Sequence, residues 1–268
     1  MKKLLSSIVL GASVLALAAC GSDEETLIVG ASNTPHALIL EQVQPILKEQ
    51  GIELQIEPYT DYVLPNQDLE SGDLDANFFQ HIPYYESQIA DFDYDFANAG
   101  EIHIEPIGIY SKKYKTLEEL PEGALVLLSN SVSDHGRMLS LLEAKGLITL
   151  AEGVDKTKAE IKDIKENPKN LKFDYNTAPE LLVQMYENEE GDVVLINSNF
   201  AIDNGINPQK DSIAIESSEE SPYVNIVAVK SGDEKSKEIK ALVDALHSKE
   251  IQDFMLEQWG GSVVPVVK

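Results

Sequence analysis

The chain contains a single cysteine, a single arginine and a single tryptophan in 268 residues. One cysteine, Cys20, excludes an intrachain disulfide. Cationic residues are scarce: 21 Lys plus Arg face 46 Asp plus Glu, for a formal charge of −25. No basic run relieves that field, which argues against a nucleic-acid partner and against attraction to anionic lipid headgroups. The sequence signatures of hydrolytic enzymes are missing too. There is no Gly-x-Ser-x-Gly elbow, no His-Glu-x-x-His pair and no cysteine beyond position 20 to act as a nucleophile. The five histidines (His36, His81, His103, His135 and His247) fall at no metal-ligand spacing, and no cofactor motif, internal repeat or low-complexity segment is present. These absences point away from an enzyme and from a protein built around a metal or cofactor.

What is present begins with a targeting segment. Met1-Lys2-Lys3 is a short basic region, and Leu4 to Leu17 is apolar but too short and too rich in small residues for an ordinary spanning helix. It ends Leu17-Ala18-Ala19-Cys20-Gly21, a pattern that resembles a bacterial lipobox. Residues 1–19 are therefore expected to be a removable signal peptide, with Cys20 as the lipidated N-terminus and residues 20–26 as a polar tether. A single acyl chain holds a protein only marginally, so stable anchoring implies more than one. The mature chain is then expected on the extracytoplasmic face of the cell membrane.

The remainder has 43% hydrophobic residues over the full chain, enough for one large domain or two modest ones. Leu27–Ala31 reads as a buried strand, and Ser32-Asn33-Thr34-Pro35 as a cap followed by proline in the first turn. A helix over His36–Gln50 follows, apolar at Ile39, Val43, Ile46 and Leu47 and stopped by Gly51; Ile52–Ile56 then alternates as a strand. Strand, crossover helix and strand predict a parallel α/β sheet. Glu101–Tyr110 reads as a long strand, with Pro106 marking an edge or a break and His103 as a half-buried strand residue. Past Ser111 a second α/β pattern starts: a strand at Ala124–Leu128, a turn at Ser129–Ser133 and a helix at Asp134–Lys145. Strands at Leu171–Asp174, Val193–Ile196 and Ile213–Ile215 follow, with a helix at Ala178–Glu189. A strand at Ser221–Val229 precedes helices at Glu234–His247 and Ile251–Trp259.

Three features could carry chemistry. Asp75–Tyr85 holds Phe78, Phe79, His81, Tyr84 and Tyr85, an unusual density of rings in a chain with 7% Phe, Trp and Tyr. It is either core or the aromatic wall of a pocket. Arg137 falls early in a helix after a strand and a polar turn, where the helix dipole and a bidentate guanidinium suit a carboxylate. The plainer alternative is a surface pair with Asp134. Asn197 and Asn225 adjoin apolar strand runs. An amide at the end of a parallel strand would face the crevice of an open α/β sheet, where it can accept from an ammonium or donate to a carboxylate. Either could equally be a turn residue.

Several motifs together resemble the NlpA-type lipoproteins, the substrate-binding subunits of methionine ABC importers. They are Asp61-Tyr-Val-Leu-Pro-Asn66, Asp75-Ala-Asn-Phe-Phe-Gln-His-Ile-Pro-Tyr84, Tyr110-Ser-Lys-Lys113, Gly136-Arg137, Glu166-Asn-Pro-Lys-Asn170, Val194-Leu-Ile-Asn197 and Glu220-Ser-Pro-Tyr-Val-Asn225. The resemblance implies an α/β, two-lobed, type II-like periplasmic-binding-protein fold with the ligand cleft between lobes. Residues 27–110 would form the first part of lobe 1, 111–222 lobe 2, and 223–268 the return to lobe 1. It implies that Arg137 holds the α-carboxylate of a free amino acid, that Asn197 and Asn225 orient its ammonium and carboxylate, and that Tyr62, Phe79, His81 and Tyr84 line the side-chain pocket. Phe78, by strand alternation, would face the core. The implied partners are L-methionine or a close analogue and the importer's permease with its ATPase; no cofactor and no metal are implied.

One departure bears on specificity. The family commonly carries an Asn three residues before the arginine, in an NDPTN-like turn, whereas here the segment reads Ser129-Asn-Ser-Val-Ser-Asp134-His135-Gly-Arg137. Asp134 could pair with Arg137 or meet an additional ammonium, and His135 adds a further polar group. A methionine derivative, a methionine-containing dipeptide or another small amino acid therefore stays open as ligand. So do a metal-binding lipoprotein using His36, His81 and His135, and an adhesin-like surface role.

Overall fold

The computed structural model describes residues 25–266, so the expected signal peptide, Cys20 and most of the expected tether lie outside the described residues. The first strand–helix–strand unit forms as its apolar spacing dictates. Glu25–Ser32 and Ile52–Tyr59 pair in parallel, and the Leu38–Lys48 helix between them buries Ile39, Leu40, Val43 and Leu47. The helix starts later than its periodicity suggests. Thr34 is extended (φ −136°, ψ 132°) and the Thr34–Pro35 peptide is cis, so Asn33–Ala37 is an irregular turn. A residue before proline is pushed out of the α region. His36 lies in this kinked lead-in to the helix and is buried.

Two sheets divide the chain. The first has six strands in the order Val264–Pro265, Phe96–Ile104, Val224–Lys230, Ala76–His81, Glu25–Ser32 and Ile52–Tyr59. Its core joins Leu27, Val29, Phe78 and Val227 to Ile239, Leu242 and Leu246 of the Lys237–Leu246 helix and to Ile251 and Met255 of the Lys249–Trp259 helix. The last two helices thus lie on the first sheet, although the whole second sheet intervenes in sequence. That second sheet has five strands, ordered Ala214–Ile215, Gly108–Tyr110, Val193–Ile196, Leu125–Ser129 and Lys172–Thr177. Strand alternation sorts its residues to two buried faces. Val126, Leu128, Val193 and Leu195 pack under Met138, Leu139 and Leu142 of the Val132–Ala144 helix. Leu127, Val194 and Ile196 pack on Leu182, Phe200 and Ala201.

The chain passes between the sheets twice. Glu101–Tyr110 is not one strand: Phe96–Ile104 ends in the first sheet, Gly108–Tyr110 lies in the second, and Glu105–Ile107 bridges them. Pro106, with no N–H to give a ladder, sits at that break. Gly108–Tyr110 is in the second sheet although it lies on the near side of the boundary drawn at residue 110. The other crossing runs between Ile215 and Val224. His103 is completely buried, not half-buried.

The helix Leu64–Ser71 escaped the periodicity reading, as did the short helices Ser198–Asp203 and Pro208–Asp211. Signals for Leu64–Ser71 were present: Pro65 in the first turn, and Asp61, whose carboxylate accepts from the backbone N–H groups of Val63 and Leu64. Conversely, the helix expected over Ala178–Glu189 is a tight turn at Pro179–Leu181 and a short helix at Leu182–Glu187. Among the described residues no helix is long and apolar enough to cross a membrane.

Candidate ligand-binding site

Between the lobes lies a narrow cavity of ≈ 20 Å³, counted over the positions that the centre of a water-sized sphere can occupy. Tyr62, Phe79, His81, Tyr84, Arg137, Asn197 and Asn225 all line it, and so does Asp134. His135 does not. Its Nε2 lies 2.9 Å from the Ser129 carbonyl and its ring packs edge-on against Tyr175, so it belongs to the second lobe's interior. Gln80, Glu105, Ser198 and Asn199 also line the cavity, and none of them stood out in the sequence.

The rings form one continuous wall. Tyr62 lies 6.1 Å from Phe79, 6.0 Å from Tyr84 and 4.9 Å from Phe200, centroid to centroid. The Tyr84 hydroxyl donates to the Tyr62 carbonyl (2.6 Å), and the Tyr62 hydroxyl donates to Asn199 Oδ1 (2.6 Å), which belongs to the other lobe. Burial pushes the Tyr62 phenol far above its ordinary range, so it stays a donor. Phe78 points the other way, into the first core.

The wall is joined to a charged end through His81, which is the N-cap of the Ile82–Phe92 helix. Its Nδ1 accepts from the Tyr84 backbone N–H at 3.1 Å. The proton must then sit on Nε2, which donates to Asp134 Oδ1 at 2.9 Å. Asp134 Oδ2 accepts from Asn197 Nδ2 at 3.1 Å. Burial is the largest influence on Asp134 and favours its neutral form. The hydrogen bond from His81, with Arg137 and Asn197, outweighs it and holds the carboxyl below its ordinary value. A buried anion is thus kept in place by neighbours from both lobes. Asn197 Oδ1 is buried and has no partner among the described residues.

Arg137 is 3% exposed, which overturns the surface-pair reading with Asp134. Its Nε and Nη2 donate to Glu216 Oε2 at 2.8 and 2.7 Å, and Nη2 also donates to the Glu105 carbonyl. The Tyr223 ring covers the guanidinium at 4.8 Å. Both partners come from the two crossings. Gly136 lets this helix lie directly on its support, since a Cβ there would overlap the backbone of Lys156 and Thr157. Nε and Nη2 are thus committed within the protein, while Arg137 lines the cavity and its Nη1 has no partner among the described residues.

Asn225 opens an antiparallel strand, in register with His81 on one side and His103 on the other. It is therefore not the end of a parallel strand, as its apolar neighbours suggested. His36 Nε2 lies 3.0 Å from Asn225 Oδ1 and 3.3 Å from Glu105 Oε1, while His103 Nε2 lies 2.7 Å from the same carboxylate oxygen. Burial pushes His36 down to about 4 and His103 down to about 3, and it pushes the Glu105 carboxyl up. His36, His81 and His135 do not converge, so the metal set expected from them is not assembled. The metal-capable group that does come together among the described residues is His36, His103 and Glu105.

A family model described as NlpA lipoprotein matches residues 27–267. The methionine-binding lipoprotein MetQ of Bacillus subtilis is 48% identical over 273 residues, covering 99% of each chain. Among solved structures, a pheromone precursor/lipoprotein of Enterococcus faecalis is 55% identical with a TM-score of 0.88, covering 90% of this chain and 100% of that one. A nutrient-binding protein of Burkholderia cenocepacia, solved bound to methionine, is 39% identical with a TM-score of 0.84, covering 89% of this chain and 99% of that one.

Proposed function

The chain belongs to the NlpA lipoprotein family, and from that premise we propose that it is the substrate-binding protein of an ABC importer for methionine or a close analogue. It captures its ligand by closing two lobes and delivers it to a membrane permease driven by an ATPase. The observation that carries this reading is the cavity's division into an aromatic wall and a charged end with groups of both signs, Arg137 and Asp134. A thioether gains roughly 0.3–1.5 kcal/mol from each favourable ring contact. A zwitterion can be buried only if both of its charges are paired. In this reading the free Nη1 edge of Arg137 takes the α-carboxylate, Asp134 and Asn197 take the ammonium, and Tyr62, Phe79 and Tyr84 enclose the side chain.

Binding, not catalysis, is the proposed activity, in keeping with relatives named as binding proteins. Anchoring through Cys20 on the extracytoplasmic face completes the proposal, since the acidic chain has no electrostatic hold on anionic lipid. Mass spectrometry of the membrane-extracted N-terminus is expected to find acyl groups on Cys20, and Cys20→Ser to release the protein from membranes. For the ligand, the test is calorimetric titration of the chain from residue 21 onward, stripped of co-purified ligand by unfolding and refolding. Binding of L- or D-methionine tighter than about 10 μM, roughly −7 kcal/mol, is expected. Failure to bind methionine or any of its dipeptides at that level removes the reading.

A further inference from the structure

His36 and His103 are buried beside the cleft, and Glu105, which lines it, lies between them. Two imidazoles and a carboxylate are a donor set that zinc accepts. Their second atoms argue otherwise. A metal-bound histidine gives its remaining N–H to an acceptor, yet Nδ1 of both His36 and His103 is buried with no hydrogen-bond partner. Ligating a metal through Nε2 would place a proton on each Nδ1 and leave two buried N–H groups unpaired. The opposite tautomer leaves only lone pairs unmatched. It also aims both Nε2–H groups at oxygen: His103 at Glu105, and His36 at Asn225 Oδ1 and Glu105.

This choice of tautomer has a consequence at the cleft. An amide oxygen only accepts, so an Nε2–H on His36 requires Asn225 to present Oδ1 to it. Turning that amide over would set two donors against each other. With Oδ1 held inward, Nδ2 is the Asn225 atom left for the cavity it lines, and it has no partner among the described residues. Asn197 is held the opposite way: its Nδ2 is spent on Asp134 and its Oδ1 is left over.

We propose that His36 is a positioning residue that fixes Asn225 as a hydrogen-bond donor towards the ligand's carboxylate, while Asp134 fixes Asn197 as an acceptor towards its ammonium. The two asparagines, alike in type, are thereby given opposite polarity by buried neighbours that lie behind them. This deepens the amino-acid-binding reading and rests on it.

The first measurement needs no ligand. Imidazole nitrogen NMR of the ligand-free protein is expected to show His36 protonated at Nε2; protonation at Nδ1 overturns the proposal whatever the protein binds. The second compares L-methionine with L-methioninol, which keeps the ammonium and thioether but has CH2OH in place of the carboxylate. His36→Leu is expected to weaken methionine at least tenfold and methioninol less than threefold. His36→Gln, whose amide N–H can reach the Nε2 position, is expected to stay within threefold of wild type for both. Equal losses for the two ligands, or no loss for methionine, overturn the proposal. Should His36→Leu fail to fold, Asn225→Asp decides: removing the donor is expected to cost methionine at least a hundredfold and methioninol far less, and equal losses again overturn it. A wild-type protein indifferent to methionine would remove the functional reading and leave the tautomer to judge this one.

Discussion

Two buried polar networks adjoin at Gln80 and His81, neighbours in sequence, and one is closed while the other is open. In the first, Asn66, Asn77 and Gln80 satisfy one another. Asn66 Nδ2 donates to Gln80 Oε1 (3.0 Å), Gln80 Nε2 to Asn66 Oδ1 (2.8 Å) and Asn77 Oδ1 (2.9 Å), and Asn77 Nδ2 to Asn66 Oδ1 (2.8 Å) and the Pro65 carbonyl (3.1 Å). All of its members belong to the first lobe. The second network joins His81, Asp134 and Asn197 across both lobes, and it leaves Asn197 Oδ1 unmatched. Native proteins seldom leave buried polar atoms unpaired, and a satisfied network rigidifies what it joins. The closed triad therefore reads as scaffold for the Asp61–Asn66 and Asp75–Tyr84 motifs. The open one reads as a place where a partner is missing.

Variants can break this contrast. The largest effect is expected from Arg137→Ala, which removes the cation proposed to pair with the ligand's carboxylate and leaves the half-buried Glu216 without it. Truncating one member of such a pair costs about 2–5 kcal/mol, so calorimetry is expected to find methionine binding reduced beyond about thirtyfold; unchanged affinity would sink the carboxylate assignment.

Next comes pH, because the closed triad holds no titratable group and the cleft side does. His36 and His103 have folded values of about 4 and about 3 against an ordinary value of 6.5. The unfolded chain therefore takes up protons first as pH falls. Their contribution is fully present above pH 6.5 and is lost going down towards 4, at about 1.4 kcal/mol per pH unit for each at most. Urea unfolding measured across that range is expected to show the loss beginning before carboxylates titrate, with a shallower slope in His36→Gln.

Asn66→Ala is expected to show the converse of Arg137→Ala: about 1–3 kcal/mol of stability lost in the same urea measurement, with methionine affinity within a fewfold. A large affinity loss at unchanged stability would erase the distinction between the networks. The smallest effect is expected from Asp134→Asn, which keeps the shape and the Asn197 neighbour but removes the charge. Methionine should weaken about tenfold, or about 1.4 kcal/mol, while N-acetylmethionine, with no ammonium, changes less.

Where structure was legible in the sequence, the signal was local. The spacing of Ile39, Val43 and Leu47 marked a helix, and Pro106 marked the break between sheets. The rings of Asp75–Tyr85 were visible as a cluster, and alternation separated Phe78 from Phe79. What stayed hidden is what only tertiary packing assembles. Glu216 meets Arg137 from 79 residues away, and Asn225 meets His36 from 189 residues away. Glu105 carried the one available hint, a charge inside an otherwise apolar strand beside proline. His103 read as half-buried because nothing nearby announces the second strand that covers it. The sequence leaves Asp134 either to Arg137 or to an additional ammonium; the structure gives its two oxygens to His81 and Asn197.

Tyr62 adds a matter of timing. It stands on the first lobe, yet its ring packs against the Phe200 cluster of the second and its hydroxyl bonds Asn199 there. Opening the cleft must pull that ring back into water and break that bond, whereas the encounter that precedes closure needs neither. Differences in affinity among related complexes are carried mostly by dissociation. The residue therefore works as a clock on departure: it leaves the rate of capture to diffusion and lengthens the interval during which a loaded protein can meet its membrane partner.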